Sequence, residues 1–231
     1  MSPSGEEGND WKMLKVVVYD SGYGGEFFAD LLEAELPIIE VIRVIDWRNA
    51  EKIQNNPKEA RRIARADLLP YIGRVDLIIL ANHLLTLTSL KFFRRKFKDQ
   101  RFIGLGLKKP ASPPKKETII LTTKPVTRTI NYYNFVLHLK KRVKTFVLDS
   151  WPLKIDDGEL TEQEVRETLS DYLDKDARYQ EIFLACSQFY DLVPVLRKLF
   201  GRNLKIHDGF TDALKETCKA LRIRGSLKKI K

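Results

Sequence analysis

Apolar residues in this chain fall into short continuous runs separated by stretches of helical period. KVVVYD (15–20), VIRVID (41–46), DLIILAN (76–82) and RFIGLGL (101–107) read as strands, rich in β-branched residues. Between them, GEFFADLLEAEL (25–36), Pro57 to Tyr71 and Leu87 to Phe97 repeat apolar residues every three or four positions and read as helices. Pro57 stands in a first helical turn, where its missing N–H is tolerated. Within DLIILAN, residues 77–81 form a continuous apolar run, the mark of a strand covered on both faces of a parallel sheet.

The alternation stops at KKPASPPKKE (108–117), whose three prolines and four lysines exclude a regular element and mark an internal boundary. It then restarts. TIILTT (118–123), KTFVLD (144–149), EIFLACS (181–187) and NLKIHD (203–208) read as strands. Val126 to Leu139, Leu160 to Leu173, Leu192 to Phe200 and Phe210 to Leu221 read as helices. Strands alternating with helices imply βαβ units and parallel sheets, hence an α/β protein. DLIILANHLLTLTSL (76–90) and EIFLACSQFYDLVPV (181–195) also share one layout, with Ala81 and Cys186 at equivalent strand ends. Ligands of open parallel sheets sit beyond the carboxyl ends of the strands. Two similar lobes would therefore bring these positions to one cleft.

Composition narrows the class. The chain has 231 residues, 43% hydrophobic and 31% charged, which fits a globular core and excludes wholesale disorder. Two cysteines exclude a disulfide scaffold, and His83, His138 and His207 have no metal-ligand spacing with Cys or Asp. No apolar run approaches the roughly 20 residues of a bilayer span, and the N-terminus is polar and acidic. The expectation is a soluble, cytoplasmic protein with no membrane association. The net charge of +10 concentrates in 91–101, 138–144 and 222–231. It favours polyanions, acidic protein partners and small anions without choosing among them. Leu90, Phe93 and Phe97 at helical spacing put the aromatic rings of the first basic run toward a core instead of toward nucleic-acid bases.

The motifs, taken in order, resemble the aspartate/glutamate racemase family, and within it the glutamate racemases. YDSGYGG (19–25) is similar to the family's Asp-Ser-Gly-x-Gly-Gly loop, and IILANHLLT (78–86) stands at its strand ending in Cys-Asn-Thr. FLACSQF (183–189) stands at its Gly-Cys-Thr-His, PLKIDDGEL (152–160) resembles its Val-Pro-x-x-Glu-x-Gly, and IHDGFTDAL (206–214) resembles a late Asp-Ser/Gly turn. The resemblance implies two similar α/β lobes, each a parallel sheet flanked by helices, with the ligand between them. It implies a first lobe of 14–107 plus 206–224, carrying the last strand and helix. A second lobe of 108–205 and flexible termini at 1–13 and 225–231 complete it. It implies no cofactor and no metal, a small dicarboxylate or amino-acid ligand, and a homodimer.

The family inverts a Cα centre with two cysteines, one per face of the substrate. A thiol suits this because its surroundings can pull its pKa toward neutrality. By this resemblance Cys186 and Asp20 are the catalytic candidates, and Ala81 marks the missing first cysteine. Ser21, Gly24, Gly25, Asn82, His83, Thr122, Ser187 and Gln188 are the substrate-binding candidates. Gln188 replaces the family's His and cannot shuttle a proton. Pro125 and Arg128 replace two hydroxyl residues of the loop after the fifth strand. The glycines read either as an anion cradle or as a tight turn. Four functions stay open. They are a racemase-fold binding protein impaired in two-base racemisation, a one-cysteine proton-transfer enzyme like the family's decarboxylases, a racemase with His83 as substitute base, and a protein- or polyanion-binding module using the basic face.

Overall fold

The computed structural model describes residues 13–107, 109–110, 117–139, 143–170 and 181–223. Most of the expected linker at 108–117, the end of the helix expected at 160–173, and residues 1–12 and 224–231 lie outside them. Two parallel sheets of four strands each form the frame.

In the first sheet, β1 (Leu14–Asp20), β2 (Ile39–Ile45), β3 (Leu77–Leu80) and β4 (Phe102–Gly104) lie in the order β2-β1-β3-β4. α1 (Tyr23–Glu35), α2 (Ala50–Asn55), α3 (Pro57–Leu68) and α4 (His83–Lys96) connect and cover them. The second sheet repeats the plan. β5 (Thr118–Thr122), β6 (Val143–Val147), β7 (Glu181–Leu184) and β8 (Lys205–His207) lie in the order β6-β5-β7-β8. Its helices are α5 (Lys124–Thr127), α6 (Ile130–Leu139), α7 (Trp151–Asp156), α8 (Glu162–Ser170) and α9 (Val193–Phe200). α10 (Phe210–Leu221) closes the described chain.

The central strands are apolar on both faces because helices cover both. Val16 and Val18 face Phe28, Leu32, Phe210 and Leu214, while Val17 and Tyr19 face Ile63, Leu68 and Phe93. Ile119 and Leu121 face the α8 and α9 side, and Ile120 faces Phe135 and Phe183. Leu84 from the first lobe joins that last cluster, so apolar packing crosses between the lobes. Among the described residues, no helix is long and apolar enough to cross a membrane.

The structure departs from the sequence reading in four places. The helix expected over 126–139 is two, α5 and α6, broken at Arg128 and Thr129. α2 and α7, six residues each, fall in stretches with no helical period to read. α4 begins at His83, ahead of the expected Leu87, because the Asn82 carboxamide oxygen accepts the Leu85 N–H at 2.9 Å and caps it. The last strand, expected with the first lobe, pairs instead with β7 in the second sheet. Cross-strand contacts hold it there. His207 stacks on Phe183 with ring centroids 4.1 Å apart, and its Nε2 lies 3.0 Å from Glu181 Oε2. The chain therefore returns to the first lobe after β8, and of the last strand and helix only α10 packs on the first sheet, where Phe210, Ala213 and Leu214 join its core.

Phe210 also ties the lobes. Its ring packs 5.1 Å from Phe28 and 4.8 Å from Tyr190, which follows β7. Phe210→Ala is expected to cost about 3–5 kcal/mol of unfolding free energy, read by urea titration, since it opens a cavity at a fully buried joint.

Candidate functional site

Asp20 ends β1 with a carboxylate wholly removed from water. Three donors reach it. The Ser21 N–H and the Asn82 Nδ2 donate to Oδ1 at 2.7 and 3.0 Å, and the Ser187 hydroxyl donates to Oδ2 at 3.1 Å. Ser187 belongs to the other lobe, so this carboxylate is a polar cross-link between the two. Burial pushes the Asp20 carboxyl up to about 7, against the lowering effect of the three hydrogen bonds. Asp20, a catalytic candidate by resemblance, thus has hydrogen-bond donors on both of its oxygens.

On the second-lobe side, the Cys186 thiol donates to Gln188 Oε1 at 3.0 Å. The Gln188 Nε2 in turn donates to Asp156 Oδ2 at 3.4 Å. Burial pushes Cys186 up to about 12, and the Asp20 and Asp156 carboxylates add to it. The Gln188 and Phe189 backbone N–H groups oppose this without prevailing, so the sulfur is a thiol at neutral pH. Asp156 is itself pushed up to about 6, chiefly by burial. It accepts the Tyr23 backbone N–H, so the anion at the N-terminus of α1 is the chain's own carboxylate.

That explains the glycines. Gly22 has extended backbone and no described glycine of the loop has a positive φ, so turn geometry does not require them. Close approach does. A Cβ on Gly24 would meet Ser187 Cβ at 2.3 Å, one on Gly22 would meet Gln188 Nε2 at 2.6 Å, and one on Gly25 would meet Asp20 Cβ at 2.4 Å. The loop is packed against the second lobe.

Beside this lock lies a cavity of about 240 Å³ between the lobes. Asn82, His83, Cys186, Ser187 and Gln188 line its floor. Ala81, Asp20, Ser21, Gly24, Gly25 and Thr122 are outside its lining. Thr122 is fully buried at the end of β5 with its hydroxyl directed to the Thr123 carbonyl at 3.5 Å. Residues that the sequence reading did not place at the site complete the wall: Gln54 and Asn55 at the end of α2, Thr123 and Lys124 at the start of α5, Arg128, and Asp149. Lys124 and Arg128 sit in the same loop where Pro125 and Arg128 break the family pattern, which was the available signal.

The two sheets also correct an equivalence. Tyr19 pairs with Leu80, and Leu121 with Leu184. One step on, Ala81 N donates to Tyr19 O and Ala185 N to Leu121 O, each at 2.8 Å. Ala81 therefore matches Ala185, and the first-lobe counterpart of Cys186 is Asn82. Ala81 turns its methyl into the first-lobe core. His83 is buried, and burial alone lowers it to about 4, so its ring is neutral. Neither ring nitrogen has a partner among the described residues.

The comparisons with known proteins agree with this architecture. No family model matches the chain. A glutamate racemase of Roseiflexus sp. (strain RS-1) is 23% identical over 230 residues, covering 96% of this chain and 85% of that protein. The crystal structure of the Escherichia coli glutamate racemase with L-glutamate and the activator UDP-MurNAc-ala superposes with a TM-score of 0.73. That match has 16% identity and covers 93% and 85% of the two chains. The chain has the glutamate racemase fold. The Campylobacter jejuni glutamate racemase gives a TM-score of 0.72 at 20% identity, covering 94% of this chain and 89% of that one. The allantoin racemase of Klebsiella pneumoniae is more distant, with a TM-score of 0.55 at 18% identity over 92% and 90% of the chains.

Within this glutamate racemase fold, the raised Asp20 carboxyl makes stability depend on pH. A carboxyl whose folded pKa lies above its unfolded value stabilises the fold when protonated, and that contribution fades as pH rises through the folded value. Asp20→Asn keeps both acceptor bonds to its oxygen and donates to Ser187. From about pH 5 to about pH 8, the melting temperature of this variant is expected to gain on the native protein. A difference that does not change with pH would contradict the assignment.

Proposed function

We propose that this chain is a glutamate-racemase-like protein that holds a small carboxylate or amino acid in the inter-lobe cleft and is impaired in two-base racemisation. One observation carries the reading: among the described residues that line the cavity from the first lobe, none presents a solvent-accessible base to Cys186. Inverting a Cα centre without a cofactor needs an acid–base group on each face. The first-lobe wall offers Asn82, whose carboxamide neither takes nor gives a proton, and His83, whose neutral ring has both nitrogens sealed from water. Ala81 supplies a methyl. Cys186, on the other face, is held as a thiol, with Gln188 beside it in the position of the family's histidine.

The protonated thiol favours a second reading. A one-cysteine enzyme needs its sulfur to donate a proton to a carbanion, for instance one left by loss of CO2; the S–H bond breaks, a C–H bond forms, and the thiolate recovers its proton from water. Cys186 lines the cavity in the donor state that such a step requires. The basic face keeps a polyanion-binding role as a weaker alternative, since Phe93 and Phe97 of that run pack with Phe102 in the core.

Incubation with D- and L-glutamate and aspartate in D2O, followed by NMR of the Cα–H signal and chiral analysis, separates these readings. The binding reading predicts neither exchange nor inversion. Exchange with retention supports the one-cysteine enzyme, and inversion overturns the proposal.

A further inference from the structure

Most side-chain donors on the floor of the cavity are already committed. Asn82 Nδ2 and the Ser187 hydroxyl serve Asp20, the Cys186 thiol serves Gln188, and Gln188 Nε2 serves Asp156. The glycine loop is occupied by the second lobe, and the N-terminus of α1 by Asp156. An incoming anion therefore finds at depth only neutral donors, the second N–H of Gln188 Nε2 and the unpartnered His83 ring, whose nitrogens are buried. It also meets the two buried carboxylates just behind the floor.

The rim has the opposite character. Lys124 and Arg128, both exposed, line the cavity from the second lobe, and neither side chain has an ion pair with a described residue. Gln54 and Asn55 face them from the end of α2, with no side-chain hydrogen bond to a described residue. Asp149 is the nearby counter-charge, and one of its oxygens is taken by the Lys124 backbone N–H at 2.6 Å. Positive charge and free charged donors coincide at the rim, whereas the floor offers only neutral donors and has two carboxyl groups behind it.

We propose that the cleft binds its ligand with the anionic group at the rim, held by Lys124 and Arg128, and the uncharged part toward Cys186 and His83. This rests on the cleft being the ligand site, as argued above, and adds the ligand's class and orientation: a small organic anion whose carboxylate or phosphate stays at the mouth. Such a mode does not use the glycine loop. It also accounts for the basic residues standing where Pro125 interrupts the loop's hydroxyl pattern.

The test is an NMR titration of the full chain, following backbone amide shifts, with succinate, L-glutamate, D-glutamate and inorganic phosphate as separate probes. At least one probe is expected to shift cleft residues. Arg128→Gln and Lys124→Gln are each expected to weaken its binding about tenfold, the loss typical of a hydrogen bond to a charged group. Arg128→Lys is expected to retain part of the affinity. Arg62→Gln, on α3, outside the cavity lining and paired with Glu59, is expected to bind as the native protein does. A response to succinate identifies a carboxylate ligand, and one to phosphate alone a phosphate ester. If cleft residues shift but both rim variants bind as tightly as the native protein, the rim proposal is overturned and the cleft reading stands. An equal loss in Arg62→Gln reduces the effect to net charge and also overturns it. If no probe shifts the cleft residues, both fall.

Discussion

A single carboxylate, wholly buried at the end of the first strand, decides how the two halves of this molecule meet. Asp20 takes donors from its own backbone neighbour, from Asn82 on the adjacent strand end, and from Ser187 across the lobe boundary. A buried charge is tolerated only when such donors surround it, and removing one leaves a desolvated group unsatisfied. The lobes are thus registered against each other by chemistry as well as by apolar packing through Leu84 and Phe210.

The glycine loop follows from that constraint. Ser187, Gln188 and Asp156 come so close to Gly22 and Gly24 that any side chain there would collide with them. A motif that reads equally as an anion cradle or a tight turn is here a contact surface, and the anion it receives is internal. The Ser187 hydroxyl donates to Asp20, while Gln188 accepts from Cys186 and donates to Asp156 beside it. Burial above all, with the neighbouring carboxylates adding to it, keeps the proton on the thiol.

The alternating strands and helices were legible because buried parallel strands must be apolar throughout, and Val16 to Tyr19 and Leu77 to Leu80 are. The two-lobe plan followed from the broken and resumed alternation. α2 and α7 were not legible, because six residues span too few turns to show a period. The placement of β8 depends on His207 stacking against Phe183 and reaching Glu181, contacts between residues more than twenty positions apart that no local pattern encodes. At the site, Asp20, Asn82 and Cys186 could be picked out from their motifs. The alignment of Asn82 with Cys186 could not, because Ala-Asn-His matches Cys-Asn-Thr best by letter, whereas the hydrogen-bond ladder is set by backbone register. Lys124 and Arg128 stood out only as departures from a pattern, and their role at the rim emerges from the cavity they share with Gln54 and Asn55.

The most direct measurement is the NMR titration of the Asp20 side-chain carboxyl carbon in the isotope-labelled native protein. A midpoint near 7 is the result of a carboxyl closed off from water between the lobes. A midpoint of about 4, the value of a solvated aspartate, would mean that the lobes stand open at this point, that the glycine loop is free to take a ligand's anion, and that the lock described here does not exist.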